Sequence, residues 1–184
     1  MNCYYDYTCP YSYRAFQWLT RLEEVVPDLA VEWRTFALKE ANRDPHTPSP
    51  FDDPEISSVS VLALALAHAA RRADFARYHA RVFEAMQVRR LGELDVLAVA
   101  ADAGVDLDSF EEERPRWLRQ VAEAHDRATS RWRVFGTPTL ILDGDAAVFL
   151  KLAEVPARND DEEVWSALCV LARCHPELME IKRP

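Results

Sequence analysis

Strand signals in this sequence are confined to its two ends, which restricts the possible folds more than any other feature. Aromatic residues dominate Asn2 to Tyr7, and apolar and charged residues alternate over residues 31–34, so Asn2 to Tyr7 and residues 30–37 are predicted to be strands. Between them, apolar residues from Tyr11 to Leu22 recur at helical spacing. This order predicts a parallel strand pair joined by a right-handed helical crossover.

The middle of the chain is predicted to be entirely helical. A proline-rich loop ends near Pro54, and residues 57–132 contain no convincing strand. Gly104 is a plausible helix stop, and Asp108-Ser109-Phe110-Glu111 resembles a capping box that opens another helix. These signals predict three or four helices.

Strand signals return after Gly136. Apolar runs over 139–142 and 147–150 flank Asp143-Gly144, which is typical of a hairpin turn, and an apolar stripe over 160–174 predicts a final helix. The order βαβ, helical block, ββα predicts an α/β fold with one mixed sheet. We expect residues 1–54 and 133–184 to form the sheet domain and residues 55–132 to form an all-helical insertion.

Charge and hydropathy exclude several classes of partner. The 184 residues include 22 basic and 31 acidic ones, for a net charge of -9. Proteins that bind nucleic acid usually present a basic surface, so neither nucleic acid nor an anionic membrane is an expected partner. The longest apolar run, residues 61–70, is short of the roughly 20 residues that span a bilayer, and the N-terminus does not resemble a signal peptide. We therefore expect a cytoplasmic protein.

The four cysteines are expected to be free thiols, because disulfides are rare in a reducing compartment. No pair has C-x-x-C spacing and no histidine cluster completes a ligand set, so no metal site is expected. Six extended residues span about 20 Å, which places Cys3 out of reach of Cys9. Cys169 and Cys174 share the last helix but not one face of it, and both are predicted to be packing residues.

Cys9 has the most informative sequence context. It comes directly after the first predicted strand, and Pro10 is a favoured first residue for a helix. A thiol at a helix N-terminus meets unpaired N–H groups and the positive end of the dipole, which favour the nucleophilic thiolate. The strand-to-helix turn also places it in the open at the edge of the sheet where α/β folds bind ligands. The alternative is a small buried residue that starts a helix.

Pro138 is the second informative position. It stands at the mouth of a predicted strand, although proline cannot donate to a sheet ladder. A cis bond between Thr137 and Pro138 would form a tight turn and expose the Thr137 backbone to an extended partner. An ordinary trans proline in a loop is the alternative.

Together, the C-P-Y-S segment at a helix start, the helical insertion and the later G-T-P-T segment resemble the DsbA-like branch of the thioredoxin superfamily. The resemblance covers essentially the whole chain and implies a thioredoxin-like mixed sheet. It implies that Cys9 is the nucleophile, that Pro138 is a cis-proline and that Thr137 contacts the bound thiol partner. Pro10 and Tyr11 are expected to contribute to that partner site.

Three positions depart from the family pattern. Ser12 stands where most members have a second, resolving cysteine, so an external thiol such as glutathione or mycothiol would have to resolve a mixed disulfide. Arg133 stands where the family often has glycine. Residues 10–13 are also similar to kappa-class glutathione transferases and hydroxychromene carboxylate isomerases, which usually have serine in place of Cys9. The tail, residues 176–183, resembles actinobacterial cytoplasmic members similar to mycothiol-dependent reductases.

The leading functional hypothesis is a monothiol thiol–disulfide oxidoreductase of DsbA type without a tightly bound cofactor. Cys9 would attack a disulfide, with Ser12 or Tyr11 hydrogen-bonded to its sulfur. The expected partners are a low-molecular-weight thiol, a protein disulfide or both, and a homodimer is compatible with the sequence. Two alternatives stay open: a thiol-dependent transferase, isomerase or reductase with an apolar pocket walled by the insertion, and a non-catalytic binding module.

Two further side chains are weighed as site residues. His125 lies on the helix before the G-T-P-T segment and either faces the site or is solvated, and a solvated position is favoured. Asp6 is either a buried proton acceptor or a turn former at the strand end, and the turn former is favoured.

Overall fold

The computed structural model describes residues 1–89, 93–143 and 146–180, with only the backbone of residues 93 and 94. These residues form four strands and eight α-helices. The strands are β1 (Asn2–Tyr5), β2 (Glu32–Thr35), β3 (Thr139–Ile141) and β4 (Ala147–Phe149). The helices are α1 (Pro10–Val25), α2 (Leu38–Ala41), α3 (Val59–Ala70), α4 (Phe75–Glu84), α5 (Glu93–Asp102), α6 (Leu107–Glu112), α7 (Arg114–Trp132) and α8 (Asp161–Cys174).

The four strands form one mixed sheet in the order β2-β1-β3-β4, which confirms the predicted fold class. β1 runs parallel to β2 and antiparallel to β3, so that Tyr4 lies between Arg34 on one side and Thr139 on the other. β3 and β4 form the predicted antiparallel pair, with Thr139 opposite Phe149. The predicted turn residue Gly144 lies outside the described residues, as do positions 181–183 of the tail.

Helix α1 packs one apolar face against the sheet. Ala15, Trp18, Leu19 and Leu22 are fully buried on it, and they join Cys3 of β1 in the main core. Full burial of a large apolar side chain contributes about 1.5–3 kcal/mol. This face fixes α1, and with it the residue at its N-terminus, relative to β1.

The described part of residues 57–132 contains no strand, as predicted, but it holds five helices where three or four were expected. Proline at the second position of α7 explains one extra helix: Pro115 cannot continue α6, because its ring clashes with the preceding turn. The predicted capping box is also wrong. Asp106 caps α6 instead, accepting hydrogen bonds from the backbone N–H groups of Asp108 and Ser109.

The most buried helix of the insertion is α3. Nearly every residue from Val61 to Ala70 is buried, as expected for a helix that is apolar on all sides. It packs against α4, α5 and α7. No helix within the described ranges combines the length and apolarity needed to cross a bilayer.

The C-terminal helix α8 is attached to α1 by a buried carboxylate. Asp161 accepts hydrogen bonds from Trp18 Nε1 at 3.0 Å, from Arg21 Nε at 2.6 Å and from Arg21 Nη2 at 2.5 Å. On the same helix Cys169 is half-buried, whereas Cys174 is exposed. The packing role predicted for Cys174 is therefore wrong, because this last residue of α8 is not among those that pack against the core.

Candidate active site

The sheet topology brings two distant segments to one edge. β1 ends four residues before Cys9, and the antiparallel neighbour β3 begins directly after Pro138. The Thr137–Pro138 bond is cis, the isomer that the resemblance implies. Cys9 Sγ donates a hydrogen bond to the carbonyl oxygen of Thr137 at 3.2 Å. Two segments that the sequence singled out separately, 128 residues apart, thus lie in direct contact.

Cys9 lies at the predicted helix start, but it is less open than expected. It is the N-cap residue of α1, with Pro10 as the first helical residue. Only 6% of Cys9 is exposed, so the expectation of an open thiol is wrong. The contact with the Thr137 carbonyl accounts for part of this burial.

Asp6 shapes the turn that delivers Cys9 to α1. Its Oδ1 accepts hydrogen bonds from the Thr8 N–H at 2.8 Å and the Thr8 hydroxyl at 2.6 Å, and its Oδ2 accepts one from the Leu38 N–H at 2.9 Å. The Asp6 carbonyl also accepts a hydrogen bond from the Cys9 N–H. This turn ends β1 at Tyr5, two residues before the predicted end. Asp6 is the turn former that was favoured, and it is also fully buried.

Burial of Asp6 predicts a specific pH dependence. Desolvation raises the pKa of this carboxyl above its usual 3.8, so between 3.8 and the raised value the folded state binds more protons than the unfolded state. The Asp6 contribution to the free energy of unfolding therefore declines as the pH rises through that interval. In Asp6→Asn this contribution is absent, and we expect the stability advantage of the wild type over the variant to shrink from pH 4 to pH 7.

Urea unfolding of both proteins across this pH range measures the difference directly. Asp44→Asn is a suitable control, because it removes an exposed carboxylate in place of a buried one. An advantage of the wild type that grows with pH would contradict the argument.

Tyr7, two residues before Cys9, contacts the helical insertion through both its side-chain hydroxyl and its backbone carbonyl. Its hydroxyl lies 2.9 Å from His79 Nδ1 and accepts a hydrogen bond from the Tyr5 hydroxyl. Its carbonyl accepts a 2.6 Å hydrogen bond from Gln87 Nε2, and Gln87 lies on the π-helical segment Ala85–Arg89 that follows α4. The backbone leading to Cys9 is therefore anchored to the insertion as well as to the sheet.

His79 is fully buried in a cage of aromatic rings, and burial holds its pKa well below the usual range, so the ring is neutral. The rings within 5.4 Å of its centroid are those of Tyr5, Tyr7, Phe16, Trp33, Phe75 and Phe83. Sequence reasoning missed both His79 and Gln87. The spacing of Phe75, His79 and Phe83 at four-residue intervals was the available signal, because such residues share a helix face.

Two hydroxyl groups of the predicted site are buried without a partner. Within the described part of the chain, neither Ser12 Oγ, one turn after Cys9, nor Thr137 Oγ1 makes a hydrogen bond. An unsatisfied buried hydroxyl costs about 1–3 kcal/mol. Both groups thus have hydrogen-bonding capacity to spare. Of the other predicted site residues, Pro10 is exposed and Tyr11 is half-buried.

The solvated position favoured for His125 is wrong. The residue is 6% exposed, and its ring lies 4.5 Å from that of Phe36 and 5.7 Å from that of Phe51, because α7 packs over β2 and the loop that follows. Arg133 ends α7 in the left-handed region, with φ of 54°. A glycine adopts this conformation at lower cost, which gives a physical reason for the glycine that the family often has here.

Two cavities in the structure lie away from Cys9. One of about 250 Å³ is lined by Arg81, Glu84, Ala85, Arg89 and Val99, and one of about 340 Å³ is lined by residues that include Met1, Trp132 and Ile141. Neither is lined by a residue of the Cys9 site. Among the described residues, no group of three or more potential ligands is placed to hold a metal ion.

Comparison with known proteins agrees with this fold. The family model described as a DSBA-like thioredoxin domain matches residues 1–153. An uncharacterized protein of Mycobacterium tuberculosis, Rv2286c, is 23% identical over 100% of this chain and 81% of its own length.

Three solved structures share the fold. A thioredoxin-like oxidoreductase from Silicibacter pomeroyi has a TM-score of 0.61 at 20% identity, covering 91% of this chain and 83% of its own. The DsbA disulfide interchange protein of Klebsiella pneumoniae has a TM-score of 0.57 at 16% identity, covering 91% and 86%. A 2-hydroxychromene-2-carboxylate isomerase has a TM-score of 0.58 at 19% identity, covering 97% and 98%.

Proposed function

Because the chain belongs to the DSBA-like thioredoxin domain family, we propose that it is a thiol–disulfide oxidoreductase with Cys9 as its nucleophile. The observation that carries this proposal is the 3.2 Å contact between Cys9 Sγ and the Thr137 carbonyl, next to the cis bond to Pro138. A disulfide that reaches Cys9 also meets the peptide backbone at Thr137. The one site therefore offers both a nucleophile and a place to dock the partner.

The proposed reaction proceeds through two exchanges. The Cys9 thiolate attacks one sulfur of a disulfide R–S–S–R′, forming a Cys9–S–S–R bond while R′–S⁻ leaves with the electron pair of the broken bond. A second thiolate, R″–S⁻, then attacks the R sulfur, which forms R–S–S–R″ and returns Cys9 as thiolate. The R″ sulfur is oxidised to the disulfide level, the R′ sulfur is released reduced and the R sulfur stays in a disulfide, so the protein itself undergoes no net change.

The geometry supports an external resolving thiol. Ser12 occupies the position from which a second cysteine would reach Cys9. Cys3 is fully buried in the main core, while Cys169 and Cys174 lie on α8. The spare hydroxyls of Ser12 and Thr137 are proposed to hydrogen-bond the sulfur atoms during exchange. A low-molecular-weight thiol is the proposed reductant.

The experiment that tests this proposal is capture of the mixed disulfide. Protein incubated with hydroxyethyl disulfide is quenched in acid and mapped by peptide mass spectrometry. We expect the adduct on Cys9 and its loss when fresh thiol is added. An adduct found only on the exposed Cys174 would overturn the proposal.

A second candidate function keeps the fold and changes the reaction. The similarity of residues 10–13 to thiol-dependent isomerases and transferases, together with the spare Ser12 hydroxyl, is compatible with activation of a bound thiol for attack on a small apolar substrate. In that case Cys9 would not form a covalent intermediate. Substitution of Cys9 separates the two functions.

A further inference from the structure

A ledge of aromatic and basic side chains lies where the first turns of α1 meet the segment around β4. Its members are Tyr11, Arg14, Phe135, Phe149 and Lys151. The backbone connects the ledge to the site: Tyr11 follows Cys9 by two residues, and the N–H of Leu150, next to Lys151, donates to the Pro138 carbonyl at 2.9 Å.

Aromatic rings hold the basic groups of the ledge in place. Lys151 Nζ lies 5.4 Å from the centroid of the Tyr11 ring and 5.3 Å from that of Phe149, and Arg14 Cζ lies 5.5 Å from that of Tyr11. Contacts of this kind are attractive, because the face of an aromatic ring is electron-rich. The Arg14 guanidinium also donates to the Leu152 carbonyl at 3.0 Å.

The apolar part of the ledge is also well defined. The Phe149 ring lies close to the backbone of Gly136, where an added Cβ would approach Phe149 Cε2 to 3.1 Å. On its other side, Phe149 contacts the Phe135 ring at 4.8 Å between centroids, and 70% of Phe135 is exposed. A glycine at position 136 therefore lets the ledge pack close to the turn that carries Thr137.

The charge of the ledge is opposite to that of the chain. Within the described ranges neither Lys151 nor Arg14 takes part in an ion pair. The twelve ion pairs found there all join other arginines, or His175, to carboxylates. The whole chain carries a net charge of -9. One of these cations lies on the helix that begins after Cys9, and the other follows the residue that is hydrogen-bonded to Pro138. In an acidic protein, such a pair of cations favours an anionic partner by charge complementarity.

We propose that Lys151 and Arg14 bind the carboxylate of a low-molecular-weight thiol while its sulfur exchanges with Cys9. This inference rests on the proposed function and names the chemical class of the resolving thiol. The 6% exposure of Cys9 favours a slim partner over the disulfide of a folded protein. The site thus selects carboxylate-bearing thiols such as glutathione over uncharged ones such as mycothiol.

The test compares two disulfide reagents on the wild type and on Lys151→Gln, both carrying Cys174→Ser to remove the exposed thiol. 5,5′-Dithiobis(2-nitrobenzoate) carries carboxylates, and 4,4′-dithiodipyridine is uncharged at neutral pH. We expect Lys151→Gln to slow modification of Cys9 by the anionic reagent about three- to five-fold at low salt and to leave the uncharged reagent unaffected. Peptide mapping assigns each modification to Cys9.

Arg119→Gln is the matched control, because it removes one exposed positive charge on α7 in the insertion. It should change neither rate, and Arg14→Gln should act like Lys151→Gln. Equal rate changes for the two reagents, or none, would overturn the ledge proposal. Charge selectivity without catalytic turnover would overturn the proposed function alone, and a Cys9 that reacts with neither reagent would overturn both.

Discussion

Cys9→Ser is expected to lower the rate of thiol–disulfide exchange at least about 1,000-fold. A serine hydroxyl is not ionised near neutral pH and forms no disulfide, so neither half of the proposed reaction can proceed. Reduction of a mixed disulfide between a small thiol and a peptide, followed at pH 7 with excess small thiol, measures the loss. The wild type and the variant should have the same thermal unfolding midpoint within a few degrees, because the two side chains are similar in size.

Cys174→Ser is the matched control, because it removes an exposed thiol on α8 and should leave the rate unchanged. Ser12→Ala should retain the reaction at a reduced rate, since Ser12 is proposed only to hydrogen-bond the sulfur. Substantial turnover by Cys9→Ser on a small apolar substrate would instead favour the thiol-activating isomerase or transferase. If the wild type itself shows neither activity, the result favours a binding module.

His79→Ala is expected to lower the free energy of unfolding by about 3–4 kcal/mol. The substitution leaves a cavity among six aromatic rings and deprives the buried Tyr7 hydroxyl of its partner at 2.9 Å. Urea denaturation followed by tryptophan fluorescence measures the change. Because Tyr7 leads directly to Cys9, the variant should also show a changed rate of Cys9 alkylation under conditions where it is fully folded.

His79→Phe separates packing from hydrogen bonding. It keeps a ring in the cage and removes His79 Nε2, which has no hydrogen-bond partner among the described residues. Tyr7 keeps its contact with the Tyr5 hydroxyl. We expect a loss well below that of His79→Ala, and equal losses would show that the cage contributes little by itself.

The candidate site was predictable where local chemistry restricts the backbone. Pro10 indicates a helix start, because proline has no backbone N–H and the N–H groups of a helix's first turn have no acceptor within the helix. Pro138 at a strand mouth marks a turn for the same reason, since a strand interior would need its donor. The mixed sheet followed from the positions of four short strand signals relative to the helical block. None of these inferences requires knowledge of contacts between distant residues.

Other features depended on contacts that no local pattern reports. The sequence favoured a solvated helix position for His125, but the rings of Phe36 and Phe51 cover it. His79 lies on α4, and its contact with the Tyr7 hydroxyl joins residues 72 positions apart. The number of helices in the insertion was wrong because Pro115 interrupts what periodicity alone treats as one continuous helix.

The sequence by itself determined the order of strands and helices, the helix that begins after Cys9 and the turn before β3, because these depend on the periodicity of side chains and on the backbone limits of proline. Only the tertiary structure decided that Thr137 lies against the thiol, that Tyr7 is anchored to the insertion and that Lys151 reaches the Tyr11 ring. The physical reason is that these contacts join segments that are distant in the sequence. The packing of the whole chain determines which of these segments come together.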